Sequence, residues 1–468
     1  MQTDTSAAGA SGIDTDAGTP FARHRLTLAT LCLAVLIAQI DTAVVNLAVQ
    51  PIQAYFKAGI TSMQWMLDSY NLVYAVLLLS GGLLADLYGR KRIFQTGVAL
   101  FAGASLLCGL APNVGLLIVG RALAGVGAAM LTPASLAILR VSWPDTAQRG
   151  KALGIWAACN GLAFAVAPTL GGLLITGFGW RSIFFLAVPV CLLALAMARL
   201  SVTESSDPGQ RHMDLAAQVL GALALGGLAL AAIEIHQHRG LALASLACAA
   251  VASMLFHRTE ARKGEAAMVP LTLFRAPALR GAIIATTGMT LGMYGVLFLQ
   301  PLVWQKLGTL DATQAGLALM PMAFVFLVVS PFTGKLSQAV GASALACGGV
   351  LVIGIGLLLV GLGAGQASIA CTELGLILTG IGMGFATGPL MGLAVGAVAA
   401  ARSGTASALI NVARIAGATL GVAVLGALYS GAADPVSGLR LAVVCGGIFQ
   451  IACAIAAWRI VRKPGAYF

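Results

Sequence analysis

Charged side chains are scarce in this sequence. Asp, Glu, Lys and Arg make up 9% of its 468 residues, where a soluble domain carries about a quarter. A chain this poor in charge cannot cover the surface of a water-soluble body of its length. The nine cysteines are odd in number, contain no C-x-x-C pair and fall within or beside apolar runs. That pattern speaks against a thiolate zinc framework and for small buried hydrophobes. No G-x-x-x-x-G-K-[ST] loop is present, so no nucleotide phosphate cradle is expected. No polar segment approaches domain length, and no short apolar segment with a cleavage site precedes the first long run, so no secretory signal peptide is expected.

What the chain has instead is long apolar runs. Hydrophobic residues make up 59% and the mean hydropathy is +0.94. Fourteen runs stand out, at 27–49, 66–86, 93–111, 115–139, 152–175, 182–199, 215–234, 240–256, 279–303, 313–334, 342–363, 369–393, 405–428 and 438–458. A bilayer core needs about 20 apolar residues per helix, and backbone polar groups in lipid must be satisfied within the segment. The runs are too long and continuous for the alternating strands of a barrel. The expectation is an all-α polytopic membrane protein.

The net charge of +11 invites a nucleic-acid partner, but the placement of the cations excludes it. With the N-terminus inside, 20 of the 27 Lys and Arg fall in cytoplasmic loops and ends, whereas Lys57, Arg181, Arg239, Lys306 and Arg440 fall outside, and Arg121 and Arg414 lie within runs. This is the positive-inside asymmetry of a multi-pass protein with both termini in the cytoplasm.

Residues 82–92 read GLLADLYGRKR, and residues 334–341, about half the chain later, read GKLSQAVG. Gly334, Leu336 and Gly341 align with Gly82, Leu84 and Gly89, while Gln338 replaces Asp86 and no basic cluster follows. Both copies follow a run of the same orientation, as two parallel six-helix halves require. Two runs are then left over, 215–234 and 240–256, which read as an inserted hairpin. The expected organisation is a disordered tail 1–25, a six-helix bundle 26–200, a linker and two-helix hairpin 201–265, a second bundle 266–460 and a tail 461–468.

Ionisable groups inside apolar runs are functional candidates by default. Asp41 lies in the first run and Arg121 in the fourth, and the 1.5 Å helical rise sets them at depths that agree to within about a turn. A proton held by Asp41 could couple to a conformational change, and Arg121 could tune it or simply clamp helices together. Pro168, with Gly161, Gly171 and Gly172, makes a kinked small-residue face in the fifth run. Weaker cavity candidates are Asn46, Trp65, Asp68, Tyr70, Tyr294 and Glu373, together with Asn411 and Arg414, which lie about one turn apart.

These motifs resemble those of the fourteen-span drug:proton antiporters of the major facilitator superfamily. Gly82, Asp86, Gly89, Arg90 and Lys91 match its G-x-L-A-D-R-x-G-R-K loop, with Leu87 where Arg is usual. Asp41, Thr42, Asn46 and Ala48 resemble its first-span pattern. Arg121, Gly125, Gly127 and Ala129 resemble its fourth-span pattern, with Ala124 in place of Gln. Pro168, Gly171 and Gly172 match G-P-x-x-G-G, with Ala167 for the first Gly. Asn411 and Arg414 resemble N-x-x-R-Q, with Ile415 for Gln.

The resemblance implies the major facilitator fold: two six-helix bundles plus the hairpin, fourteen spans in all. It implies a monomeric, multi-pass protein of a bacterial plasma membrane, with no metal or organic cofactor and the proton as coupling ion. The substrate class it implies is small amphipathic compounds, antibiotics and cations among them. Asp86 would form a cytoplasmic gate, lying near Ser403-Gly404-Thr405 when the protein faces outward. The competing readings are a proton symporter or a metabolite exporter of the same fold and, from another class, a membrane sensor or enzyme without transport.

Overall fold

The computed structural model describes residues 20–206, 214–264, 267, 269–365, 369–398 and 403–462. Its helices are α1 (Pro20–Phe56), α2 (Ile60–Tyr88), α3 (Arg90–Leu110), α4 (Val114–Ser142), α5 (Thr146–Phe178), α6 (Ser182–Ser201), α7 (Leu215–Glu234), α8 (Arg239–Lys263), α9 (Pro277–Lys306), α10 (Ala312–Val329), α11 (Thr333–Val340), α12 (Ala342–Gly363), α13 (Ala370–Gly396), α14 (Ser403–Ser430) and α15 (Pro435–Val461). α1 starts inside the expected tail 1–25, with Pro20 at its first position, where the missing N–H costs nothing. Residues 1–19 and 463–468 of the expected tails lie outside the described residues.

Four of the chain's 16 acids cap helix starts. Asp145, Asp214, Asp311 and Asp434 each accept a backbone N–H in the first turn of α5, α7, α10 and α15, and Asn113 does so for α4. At α10 the Gln314 side chain returns the favour to the Asp311 backbone, completing a capping box. Such caps satisfy N–H groups that a helix leaves open at its N-terminus.

α1 packs on α5 and α6, α2 on α4, and α3 on α4 and α6. In the second half α9 packs on α14 and α15, α12 on α13 and α15, and α10 on α13. The two bundles meet along two main seams, α5 on α10 and α2 on α14, with α1 touching α9 between them. α7 and α8 pair with each other outside both bundles, and α7 rests on α2 and α14. Their peripheral place shows in burial: 22% of the apolar window is buried in each, against 78% in α9. Lys263 holds Asp214 at 2.5 Å, closing the hairpin at its open end.

Among the described residues, twelve helices are long and apolar enough to cross a bilayer, or thirteen if the bent α2 is one span, where fourteen were expected. α2 bends by 52° between Ile60–Leu78 and Ser80–Tyr88, just before the Gly81-Gly82 pair, whose glycines stiffen the helix least. α5 is 33 residues long, and its stretch Val166–Phe178 is an apolar segment among the described residues.

The repeat is visible in backbone geometry. Gly89, between α2 and α3, has φ 103° and ψ 126°, and Gly341, between α11 and α12, has φ 88° and ψ 136°. Both sit in a region L side chains avoid. α10, a short 3-10 turn at Ser330–Phe332 and α11 form one span, Ala312–Val340.

Candidate functional site

Asp41 of α1 and Arg121 of α4 meet in the middle of the first bundle. Arg121 donates from Nη1 to Asp41 Oδ2 at 2.6 Å, and both side chains are 2% exposed. The guanidinium lies over the Tyr70 ring of α2, 4.6 Å from its centroid. It is also 6.0 Å from the centroid of Phe184. Close backbone packing makes this possible: a Cβ at Gly125 would come within 2.6 Å of the Tyr70 carbonyl oxygen. Asp41 Oδ1 and Arg121 Nε have no hydrogen-bond partner. Taking both ions out of water is costly, and their mutual attraction offsets that only while they remain together.

A small cavity of about 10 Å³ opens beside the pair, room for about one water. Thr42 and Asn46 of α1, Tyr70 and Asn71 of α2, Arg121 and, from the second bundle, Tyr294 of α9 line it. The expected residues Asn46, Tyr70, Arg121 and Tyr294 are thus brought together. Thr42, already part of the first-span pattern, completes the lining with Asn71, Leu67 and Val422, which were not singled out from sequence; Asn71 is a polar residue next to Tyr70, which was.

Asp68 is not at this cavity. It is fully buried, and neither carboxylate oxygen has a partner. At about 100° per residue, Asp68 lies roughly a quarter-turn from the centre of the face that carries Leu67, Tyr70 and Asn71. Trp65, three residues earlier, likewise does not line the cavity. Glu373 is in the first turn of α13, with Oε1 unpartnered. Asn411 donates to the Ser407 carbonyl one turn back on α14. Arg414 has no hydrogen-bond or ion-pair partner among the described residues, and its electrostatic neighbours are the hydroxyls of Tyr74 and Tyr294.

The bundles are joined at the end where α1 finishes. Gln64 of α2 donates to the carbonyls of Val422 (3.2 Å) and Ala423 (3.0 Å) on α14. Gln305 of α9 donates to Leu47 of α1 (3.2 Å). Thr313 of α10 reaches the Gly172 carbonyl (3.0 Å) and Thr176 (2.7 Å) of α5. Gly172 of the α5 motif serves this seam, where a Cβ would come within 2.7 Å of the Thr313 backbone, while a Cβ on Gly171 would come within 2.7 Å of Val44 on α1, inside the first bundle. Pro168 lies inside α5, and only glycine at 316 of α10 fits against its carbonyl oxygen. The surroundings of Gly161 lie outside the described residues.

At the opposite end, Asp86 accepts from Arg90 through Nε (3.1 Å) and Nη2 (2.9 Å). Gly82 and Gly89 flank it, and a Cβ on Gly82 would meet nothing nearer than Pro133 at 3.5 Å. Glu204, which the sequence reading missed, accepts from the backbone N–H groups of Lys91 (3.0 Å) and Arg92 (3.1 Å) at the start of α3. Lys91 Nζ in turn reaches the Arg199 carbonyl near the end of α6 (3.1 Å). An anion at a helix start and a cation at a helix end are the favourable pairings with the helix dipole. The surroundings of Ser403 and Gly404, the expected counterparts of Asp86, lie outside the described residues.

Comparison with known proteins agrees with this architecture. The Major Facilitator Superfamily pattern matches residues 31–422. The chain is 35% identical over 408 residues to multidrug resistance protein Stp of Mycobacterium tuberculosis, covering 86% of this chain and 76% of Stp. It is 32% identical over 422 residues to drug efflux pump JefA of the same species, covering 88% and 82%. The structure superposes on that of the peptide-transporter-family protein PepTSo with a TM-score of 0.70 at 14% identity, covering 93% and 97% of the two chains.

Proposed function

The chain belongs to the Major Facilitator Superfamily, and from that premise we propose that it exports small amphipathic molecules, drugs or antibiotics, across a bacterial plasma membrane in exchange for protons. The relatives named for multidrug resistance and drug efflux support the export direction. The observation that carries the mechanism is the buried Asp41–Arg121 pair at the edge of a cavity shared by both bundles.

The chemistry follows from that pair. While Asp41 is ionised, it holds Arg121. A proton arriving at Asp41 cancels the attraction and frees the guanidinium, so the cavity alternates between two charge arrangements. Coupling requires only that one arrangement favour substrate and the other the proton. The sealed end, where Gln64, Gln305 and Thr313 join the bundles, is the outer face, and substrate enters from the cytoplasm. The Lys and Arg distribution supports this orientation, with both termini cytoplasmic. α5, whose 33 residues reach about 50 Å at 1.5 Å per residue, is the remaining span of a fourteen-span monomer. The Asp86 turn acts as the cytoplasmic gate, and the coupling ion is the proton with no further cofactor.

The test is Asp41→Asn in inverted membrane vesicles. Substrate-dependent proton movement should vanish while the protein still reaches the membrane; undiminished proton movement overturns the coupling role. Cells overproducing the protein should accumulate less of an exported dye, and a protonophore should erase the difference. Greater uptake would favour a symporter.

A further inference from the structure

Two guanidinium groups lie in the middle of this membrane protein, and they are not equivalent. Arg121 is matched by Asp41 at 2.6 Å, so that pair adds no net charge to the cavity beside it. Arg414 is not matched. It sits mid-way along α14, its Nε has no partner, and among the described residues no carboxylate bonds to it. The groups that act on it electrostatically are two phenols, Tyr74 of α2 and Tyr294 of α9. Tyr74 is held by Thr132 of α4 at 3.2 Å, and Tyr294 lines the cavity. Val412 and Ile415, on either side of Arg414, pack near Tyr74 and Ala75, which places this stretch of α14 against α2 at the seam between the bundles. Asp68 of α2 is fully buried away from the cavity.

An arginine cannot shed its charge in a protein, and Arg414 is half-buried with its Nε closed off from water and unpartnered, an unfavourable state without an anion. Its planar fork suits a carboxylate in bidentate fashion. We propose that Arg414, flanked by Tyr74 and Tyr294, is an anion subsite of the transport path, and that the exported compounds include aromatic organic acids carried as monoanions. The carboxylate would dock on Arg414 and the ring against the two tyrosines. This rests on the export function proposed above and deepens it. Cationic substrates, one of the classes the resemblance implies, are the opposing outcome. The charge class also sets the electrical character of the exchange. One proton in for one monoanion out moves two elementary charges per turnover, whereas one proton for a monocation moves none.

The probes are fluorescein and rhodamine 6G, which share a xanthene ring system and carry opposite charges. Binding to the purified protein by fluorescence anisotropy, and accumulation in energised inverted vesicles, are measured for wild type, Arg414→Gln and Arg414→Lys. Wild type should bind fluorescein. Arg414→Gln should weaken that binding about tenfold, as expected for loss of one charge-assisted contact. Arg414→Lys should recover part of the loss, and rhodamine 6G should not bind less well to either variant. Fluorescein uptake should rise with an imposed potential more steeply than rhodamine 6G uptake. Rhodamine 6G binding with no fluorescein binding overturns the proposal, as does equal loss of both dyes in both variants, which would mark a structural role. Fluorescein binding that depends on Arg414 with no dye movement in energised vesicles would keep the subsite and sink export instead.

Discussion

The two halves of the chain share a backbone plan and differ in where they keep charge. The turns at Gly89 and Gly341 have nearly the same φ and ψ. Around Gly89 stand Asp86 on Arg90 and Glu204 on the start of α3, and Lys91 reaches the end of α6. Around Gly341, Gln338 replaces Asp86, no basic cluster follows, and a Cβ would meet nothing within 4 Å. The same contrast holds deeper: Arg121 of the first half has a counter-charge, and Arg414 of the second has none. A backbone conformation can thus be duplicated and kept by glycine alone, while the electrostatics laid on it diverge.

The sharpest way to probe this contrast is to remove each guanidinium. Arg121→Leu strands Asp41 in a buried site and should destabilise the purified protein by about 3–5 kcal/mol, read as a fall in thermal unfolding midpoint. Arg414→Leu strands no ion and should leave the midpoint unchanged or raise it. Equal losses would break the comparison. Next in size are the two turns. Gly341→Ala should cost about 1–2 kcal/mol, the price of a side chain at positive φ. Gly89→Ala should cost more, because its Cβ would also sit 2.8 Å from the Glu204 carboxylate. The smallest effect is expected of Glu204→Ala, about 1 kcal/mol for the lost acceptor at the start of α3. It should appear as faster hydrogen exchange at Lys91 and Arg92, with no change around Ala342.

Much of this was legible in the sequence because it is local. The apolar runs became helices, the glycine pair 89 and 341 became matching turns, and the helical rise alone set Asp41 and Arg121 at one depth. What was not legible depends on neighbours far away along the chain. Glu204 caps the start of α3 through Lys91, 113 residues earlier, and Gln64 bonds carbonyls 358 and 359 residues later. Asp68 looked like a cavity residue because it is an acid in an apolar run; the packing of α2 turns it off the cavity face while Leu67 and Asn71 stay on it.

The seam that joins the bundles at the far end of α1 has one more consequence. The bonds from Gln64, Gln305 and Thr313 link amides and hydroxyls to carbonyl and hydroxyl oxygens, with no ion among them. Dissolved salt weakens attraction between ions and leaves neutral hydrogen bonds almost untouched. Such a closure holds equally well in fresh water and in brine, so a cell that meets both need not retune it.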